Sequence, residues 1–121
     1  MSNGPDATPI SVQLYTLRTQ TAADFPAVLE RLGAKGYVGV ELAGFGDLTP
    51  QQLRRALDDA GLVVSSAHVG FGDETEFATA LDAHQPLGCE MVVIPAISDK
   101  AFTDVDAVRD GRCTPRYNAA P

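Results

Sequence analysis

The chain has 121 residues, 45% of them hydrophobic, and a net charge of −7; that is one ordinary domain with enough apolar material for a core, which argues against wholesale disorder. The acidic balance argues against a nucleic-acid partner, whose phosphates would repel it, and fits ordinary cytosolic solubility without identifying a substrate. No apolar run approaches the roughly 20 residues that span a bilayer, and Cys89 and Cys113 have neither zinc-site spacing nor a disulfide framework.

Residues 1–9 read as a flexible leader, polar and rich in Gly and Pro, without the basic start and apolar segment of a secretory signal. A cytoplasmic location is the default expectation, with Cys89 as a small core residue. The first strand-like run is Ile10-Ser11-Val12-Gln13-Leu14, followed by a loop through Thr16 to Ala23. Asp24 is placed to cap a first helix, and Pro26 falls in its first turn, where a missing amide costs little. Phe25, Val28, Leu29 and Leu32 follow the i, i+3, i+4, i+7 spacing of one buried face, and Gly36 supplies a stop.

The second run is Tyr37-Val38-Gly39-Val40-Glu41-Leu42. The helix after it has the clearest start in the chain: Thr49, Pro50 and Gln52 make a T-x-x-Q capping box with proline at the first helical position. Leu53, Ala56, Leu57 and Ala60 form its apolar stripe, and Gly61 ends it. The third run is Leu62-Val63-Val64-Ser65-Ser66-Ala67-His68, and a helix is expected from about Glu74 into the Asp82 region, ended or kinked by Pro86. The fourth run is Glu90-Met91-Val92-Val93-Ile94-Pro95. A further helix is expected to start at Thr103, with Asp104 and Asp106 favourable near the positive end of its dipole. Residues 109–121 lack periodicity and read as an irregular tail.

The runs recur roughly every 27 residues, close to one strand–helix unit of a parallel sheet. The fold class is therefore α/β, about four βα units with parallel strands and helices outside, over residues 10–108. A closed eight-stranded barrel takes about 250 residues, so this chain cannot close one alone; it reads as a barrel's first half, forming either a small open sheet or half a barrel that must pair with something. Between strand and helix, Gly44-Phe45-Gly46-Asp47-Leu48-Thr49 and Gly70-Phe71-Gly72-Asp73-Glu74-Thr75 repeat one G-F-G-D-x-T pattern. Its glycines either let main-chain amides approach a phosphate or only make tight turns; neither copy matches a dinucleotide or P-loop fingerprint.

Parallel strands present functional groups at their C-terminal ends. Gln13, Glu41 and His68 stand there, one per strand. A carboxylate at Glu41 can act as a base, hold a sugar hydroxyl or ligate a metal; otherwise it pairs with a cation or faces water. An imidazole at His68 can ligate a metal, shuttle a proton or donate to a substrate oxygen, though a lone histidine is often structural. Gln13 can bind a hydroxyl or fix a neighbour. Tyr15 and Arg18 can reach a substrate from beyond the first strand, and His84 reads as structural. Glu41 and His68 are two ligands at most, short of the three or more a catalytic metal needs, so no complete metal site is present.

The segments Ser11–Arg18, Gly36–Leu42, Ala60–Leu62, Ser66–His68 and Leu87–Pro95, in order and at compatible spacing, resemble the opening units of sugar phosphate isomerase/epimerase proteins. These belong to the xylose isomerase-like superfamily of TIM (β/α)8 barrels. The resemblance implies carbohydrate metabolism, with a sugar or polyol isomerised or epimerised with help from a divalent metal (Mn2+, Mg2+ or Zn2+). It places Glu41 and His68 at catalytic positions, with Gln13 and Tyr15 as substrate-binding candidates. The family's principal ligands lie on later strands, so the leading expectation is a truncated protein with little or no activity alone. A self-associating half-barrel, a homodimer through the exposed sheet edges with a binding or structural role, is the alternative. An independent small α/β binding domain ranks third.

Overall fold

The computed structural model describes residues 7–71 and 74–96. In chain order these form β1 (Ser11–Gln13), a 3-10 turn (Leu14–Leu17), α1 (Arg18–Ala23), α2 (Phe25–Ala34), β2 (Gly39–Leu42), α3 (Pro50–Ala60), β3 (Val63–His68), α4 (Glu74–His84), a 3-10 turn (Gln85–Leu87) and β4 (Val92–Val93). The strands make one sheet in the order β1-β2-β3-β4, every neighbouring pair parallel. This is the α/β half-barrel arrangement expected from the spacing of the runs. The expected helix at Thr103, the tail 109–121, Cys113 and most of the leader lie outside the described residues.

Two expectations change. The segment Thr16 to Ala23 is not a loop: it ends the first 3-10 turn and forms α1. Its residues are polar or alanine and none in α1 is buried, so it carries no apolar period to announce a helix. The strands are also shorter than the apolar runs, although the ladder extends past them. Val38 N–H donates to Ile10 O at 3.0 Å, and Val63 N–H to Val38 O at 3.1 Å.

Each helix is bounded as its residues dictate. The Asp24 carboxylate accepts from Ala27 N–H at 3.1 Å and starts α2. At α3 the capping box closes in both directions: Gln52 N–H donates to Thr49 Oγ1 at 3.1 Å, and Thr49 N–H to Gln52 Oε1 at 2.9 Å. Helix α4 runs from Glu74 to His84, within the span expected for it, before Pro86 enters the next turn.

The core lies between the helices and one face of the sheet. Leu29 and Leu32 of α2, Leu53 and Leu57 of α3, and Phe77 of α4 pack with Val40, Leu42, Val64 and Ala67 of the strands. Burying each large side chain contributes about 1.5–3 kcal/mol. Helices α2 and α3 approach closely at Gly33, where an added Cβ would lie 2.1 Å from Ala60 O. Among the described residues no helix is long and apolar enough to cross a membrane.

Candidate functional site

The opposite face of the sheet carries polar side chains at the strand ends, and alternation explains which residues reach it. On β1 and β2, Gln13 lies beside Glu41, and Val12 beside Val40. With Val12 and Val40 packed toward the helices, Gln13 and Glu41 point the other way. Strand β3 follows that rule only by breaking it once. Val40 pairs with Val64, yet Glu41 pairs with Ser66 and Leu42 with Ala67. The extra residue, Ser65, makes a β-bulge. Without the bulge, Val64, Ser66 and His68 would share one face, and a buried valine would force the histidine toward the core. With it, Val64 and Ala67 are buried beside the helices while Ser66 and His68 join Glu41.

The bulge is itself tied down. Ser65 Oγ–H donates to Val40 O at 3.1 Å, so its other bond, 2.7 Å to Ser11 Oγ, takes its proton from Ser11. That bond crosses from β3 to β1 over Gly39, where a Cβ would stand 2.8 Å from Val63 O and 3.4 Å from Ser11 Oγ. Glycine at 39 is what leaves room there.

Three consecutive strands then deliver one cluster. Gln13 Nε2 donates to Glu41 Oε1 at 2.7 Å, and the Ser66 hydroxyl donates to Glu41 Oε2. His68 Nε2 lies 3.0 Å from Glu41 Oε1 and 3.2 Å from Gln13 Nε2. The Ser66 bond first, and the Gln13 bond second, hold the Glu41 carboxyl below its ordinary range; partial burial opposes them and the nearby His68 adds a little. The outcome is an oriented carboxylate beside an imidazole, both partly open to solvent, with side chains 20% and 26% exposed. Such a pair can bind hydroxyls and move a proton.

Of the four site candidates, the structure brings together Gln13, Glu41 and His68 and leaves Tyr15 apart. Tyr15 is exposed, its ring under the Arg18 guanidinium at 4.5 Å, and makes no hydrogen bond to the cluster. His84 is buried elsewhere: its Nδ1–H donates to Ala80 O at 2.7 Å, and its ring lies 4.7 Å from that of Phe45. Ser66 is the member that motif reading passed over. The signal was present, since apolar Val64 and polar His68 share a parity that an unbroken strand cannot satisfy.

In the first repeat loop Gly44 and Gly46 both take the left-handed conformation, and Phe45 anchors the turn on His84. Gly70 in the second copy does not, although Phe71 anchors similarly on Phe77 at 5.5 Å. The first loop is thus a turn pinned by Phe45. A cavity of about 700 Å³ opens on the helix side between α2 and α3, lined by Pro26, Glu30, Leu48, Arg55 and Asp59 among others. None of its lining residues belongs to the cluster, so the strand ends are the better candidate for chemistry.

Glu41 Oε1 and His68 Nε2 stand at a separation that adjacent ligands of one ion could share. Both Glu41 oxygens already accept hydrogen bonds, however, and among the described residues no three His, Cys, Asp or Glu side chains converge. The described residues do not by themselves fit a divalent ion.

The structure is similar to that of a sugar phosphate isomerase/epimerase from Parabacteroides distasonis ATCC 8503, with a TM-score of 0.65 at 24% sequence identity. The match covers 88% of this chain and 46% of that one, so the chain spans about half the length of the protein it matches. The fold is therefore that of half a TIM-type barrel, and the neighbour's family is the one its opening motifs resemble. No protein-family model matches the sequence, and no curated protein does.

Proposed function

We propose that this chain carries the strand-one to strand-four part of a sugar isomerase/epimerase-type site, with Gln13, Glu41, Ser66 and His68 as its share of the machinery. The observation that supports this most is the convergence of side chains from three successive parallel strands on the single atom Glu41 Oε1, at the strand ends where α/β barrels do their chemistry. Gln13 and Glu41 bind hydroxyls of a sugar or polyol. The carboxylate and the imidazole exchange a proton with it.

Gln13, Glu41, Ser66 and His68 are one part of such a site, and this chain by itself is expected to bind sugars with little or no turnover. The test is calorimetric titration with a panel of pentoses, hexoses and their phosphates, repeated on Glu41→Ala and His68→Ala. Saturable binding that both substitutions abolish supports the proposal. Binding unaffected by either, or none across the panel, overturns it.

A second reading, self-association, has its own observation. Val63 and Met91 are 63% and 61% exposed, and Val93, which pairs with His68, is 37% exposed. Exposed apolar side chains on and beside strands invite a covering partner, and the proposed partner is a second copy. Sedimentation across a hundredfold concentration range decides it. A dimer weakened by Met91→Lys supports the reading, and a monomer throughout sinks it.

A further inference from the structure

We propose that Gln13 is the positioning residue of this cluster: its amide nitrogen donates to Glu41 Oε1 and to His68 Nε2 together, which fixes His68 as the Nδ1–H tautomer and leaves that N–H as the donor the site offers a substrate oxygen. This deepens the function proposed above and rests on Glu41 and His68 being the working pair.

The Gln13 amide must present nitrogen to Glu41, because the flipped amide would put two oxygens 2.7 Å apart. The same nitrogen is 3.2 Å from His68 Nε2, and that is the hydrogen bond this ring nitrogen makes. Glu41 Oε1 stands 3.0 Å from His68 Nε2 as an electrostatic neighbour, with no hydrogen bond between the two. An amide nitrogen only donates, and it carries two hydrogens. His68 Nε2 must therefore accept, so in the neutral ring the proton sits on Nδ1. Two acceptor atoms 3.0 Å apart would repel one another if left bare. The Gln13 N–H groups offset this by setting a positive end against each.

Strand order makes the bridge possible. Gln13 comes from β1, Glu41 from β2 and His68 from β3, so one amide touches its neighbouring strand and the strand beyond it. Ser66 holds the other carboxylate oxygen, Glu41 Oε2, which the β-bulge allows. The two working groups then take different roles. Glu41, ionised and held at both oxygens, is the group that can take a proton. His68 Nδ1–H has no hydrogen-bond partner among the described residues, and it is the group that can donate to a substrate oxygen. Gln13 Oε1 also has no partner among the described residues and is left to accept from a hydroxyl.

The test is long-range proton–nitrogen NMR on the whole chain with nitrogen-15 histidine, at roughly pH 9, where an ordinary imidazole is neutral. The chain has two histidines, and a His68→Asn variant assigns their signals. His84 must show Nδ1–H, because its partner Ala80 O can only accept; its signal also reports that the core is folded. The expected result is Nδ1–H at His68 as well, with Nε2 unprotonated. In Gln13→Met, which keeps the bulk and removes the donor, the proton is expected to move to Nε2 beside Glu41 while His84 is unchanged. Should that variant lose the His84 signature, Gln13→Leu takes its place with the same expectation. A wild-type His68 carrying its proton mainly on Nε2 overturns the proposal, and so does an Nδ1–H tautomer that persists once the amide is removed. Either outcome leaves sugar binding at the cluster standing, and a failure to bind sugar leaves the tautomer result standing.

Discussion

Ser66 stands directly beside Glu41 across the β2–β3 ladder, and its hydroxyl donates to Glu41 Oε2. The register that brings them together exists because β3 carries one residue more than β2 between its buried valine and this serine. Ser66→Ala removes that donor and leaves the backbone untouched. It should cost about 1 kcal/mol, since water reaches the half-buried carboxylate and replaces part of the bond. Urea denaturation measures the cost, and no change would mean that the bond is already made to water.

Acid should find the same carboxylate. Glu41 is held below its ordinary value of 4.5 in the folded chain, chiefly by Ser66. Between the folded value and 4.5 the unfolded chain binds more protons, so stability rises with pH there. The contribution is fully present above 4.5 and is lost as pH falls through the folded value. Stability curves of wild type and Glu41→Gln should therefore converge on acidification and separate above about pH 5. Parallel curves at all pH values would contradict the assignment.

The α2–α3 contact gives a prediction of opposite sign to helix propensity. Gly33→Ala improves the intrinsic helix preference by about 1 kcal/mol, but its methyl would meet Ala60 O at 2.1 Å. The carbonyl is main chain and cannot swing away, so the helices must part, at a cost of about 1–3 kcal/mol. A net loss of stability in denaturant is expected. A stabilised variant would show that the two helices are not packed this closely.

At the start of α3, Thr49→Ala should lose about 1 kcal/mol. Because the box is reciprocal, adding Gln52→Ala should cost less than it does alone. A double-mutant cycle by thermal unfolding checks this, and strict additivity would count against the two-way bond.

Much of this architecture can be read from residue order. Thr49, Pro50 and Gln52 declare a helix start, Phe25, Leu29 and Leu32 a buried face, and the strand-end positions of Gln13, Glu41 and His68 a shared site. Helix α1 could not be read, since none of its residues is buried and no period marks it. The six-residue run around Val92 yields a two-residue β4, whose only neighbour among the described residues is β3 and whose preceding Met91 is exposed. Ser66 escaped because its role depends on register. A strand's alternation is legible, but the place where a bulge resets it is a tertiary outcome. It is settled here by burying both Val64 and Ala67.

The claim that Gln13, Glu41 and His68 form a sugar-handling cluster is tested most directly by titrating nitrogen-15 histidine-labelled chain with the pentose and hexose phosphates. The account predicts a saturable shift of the His68 ring signals with His84 unmoved, and loss of that shift in Glu41→Ala. Signals of His68 that stay in place with every sugar, or that move only together with those of His84, would contradict it.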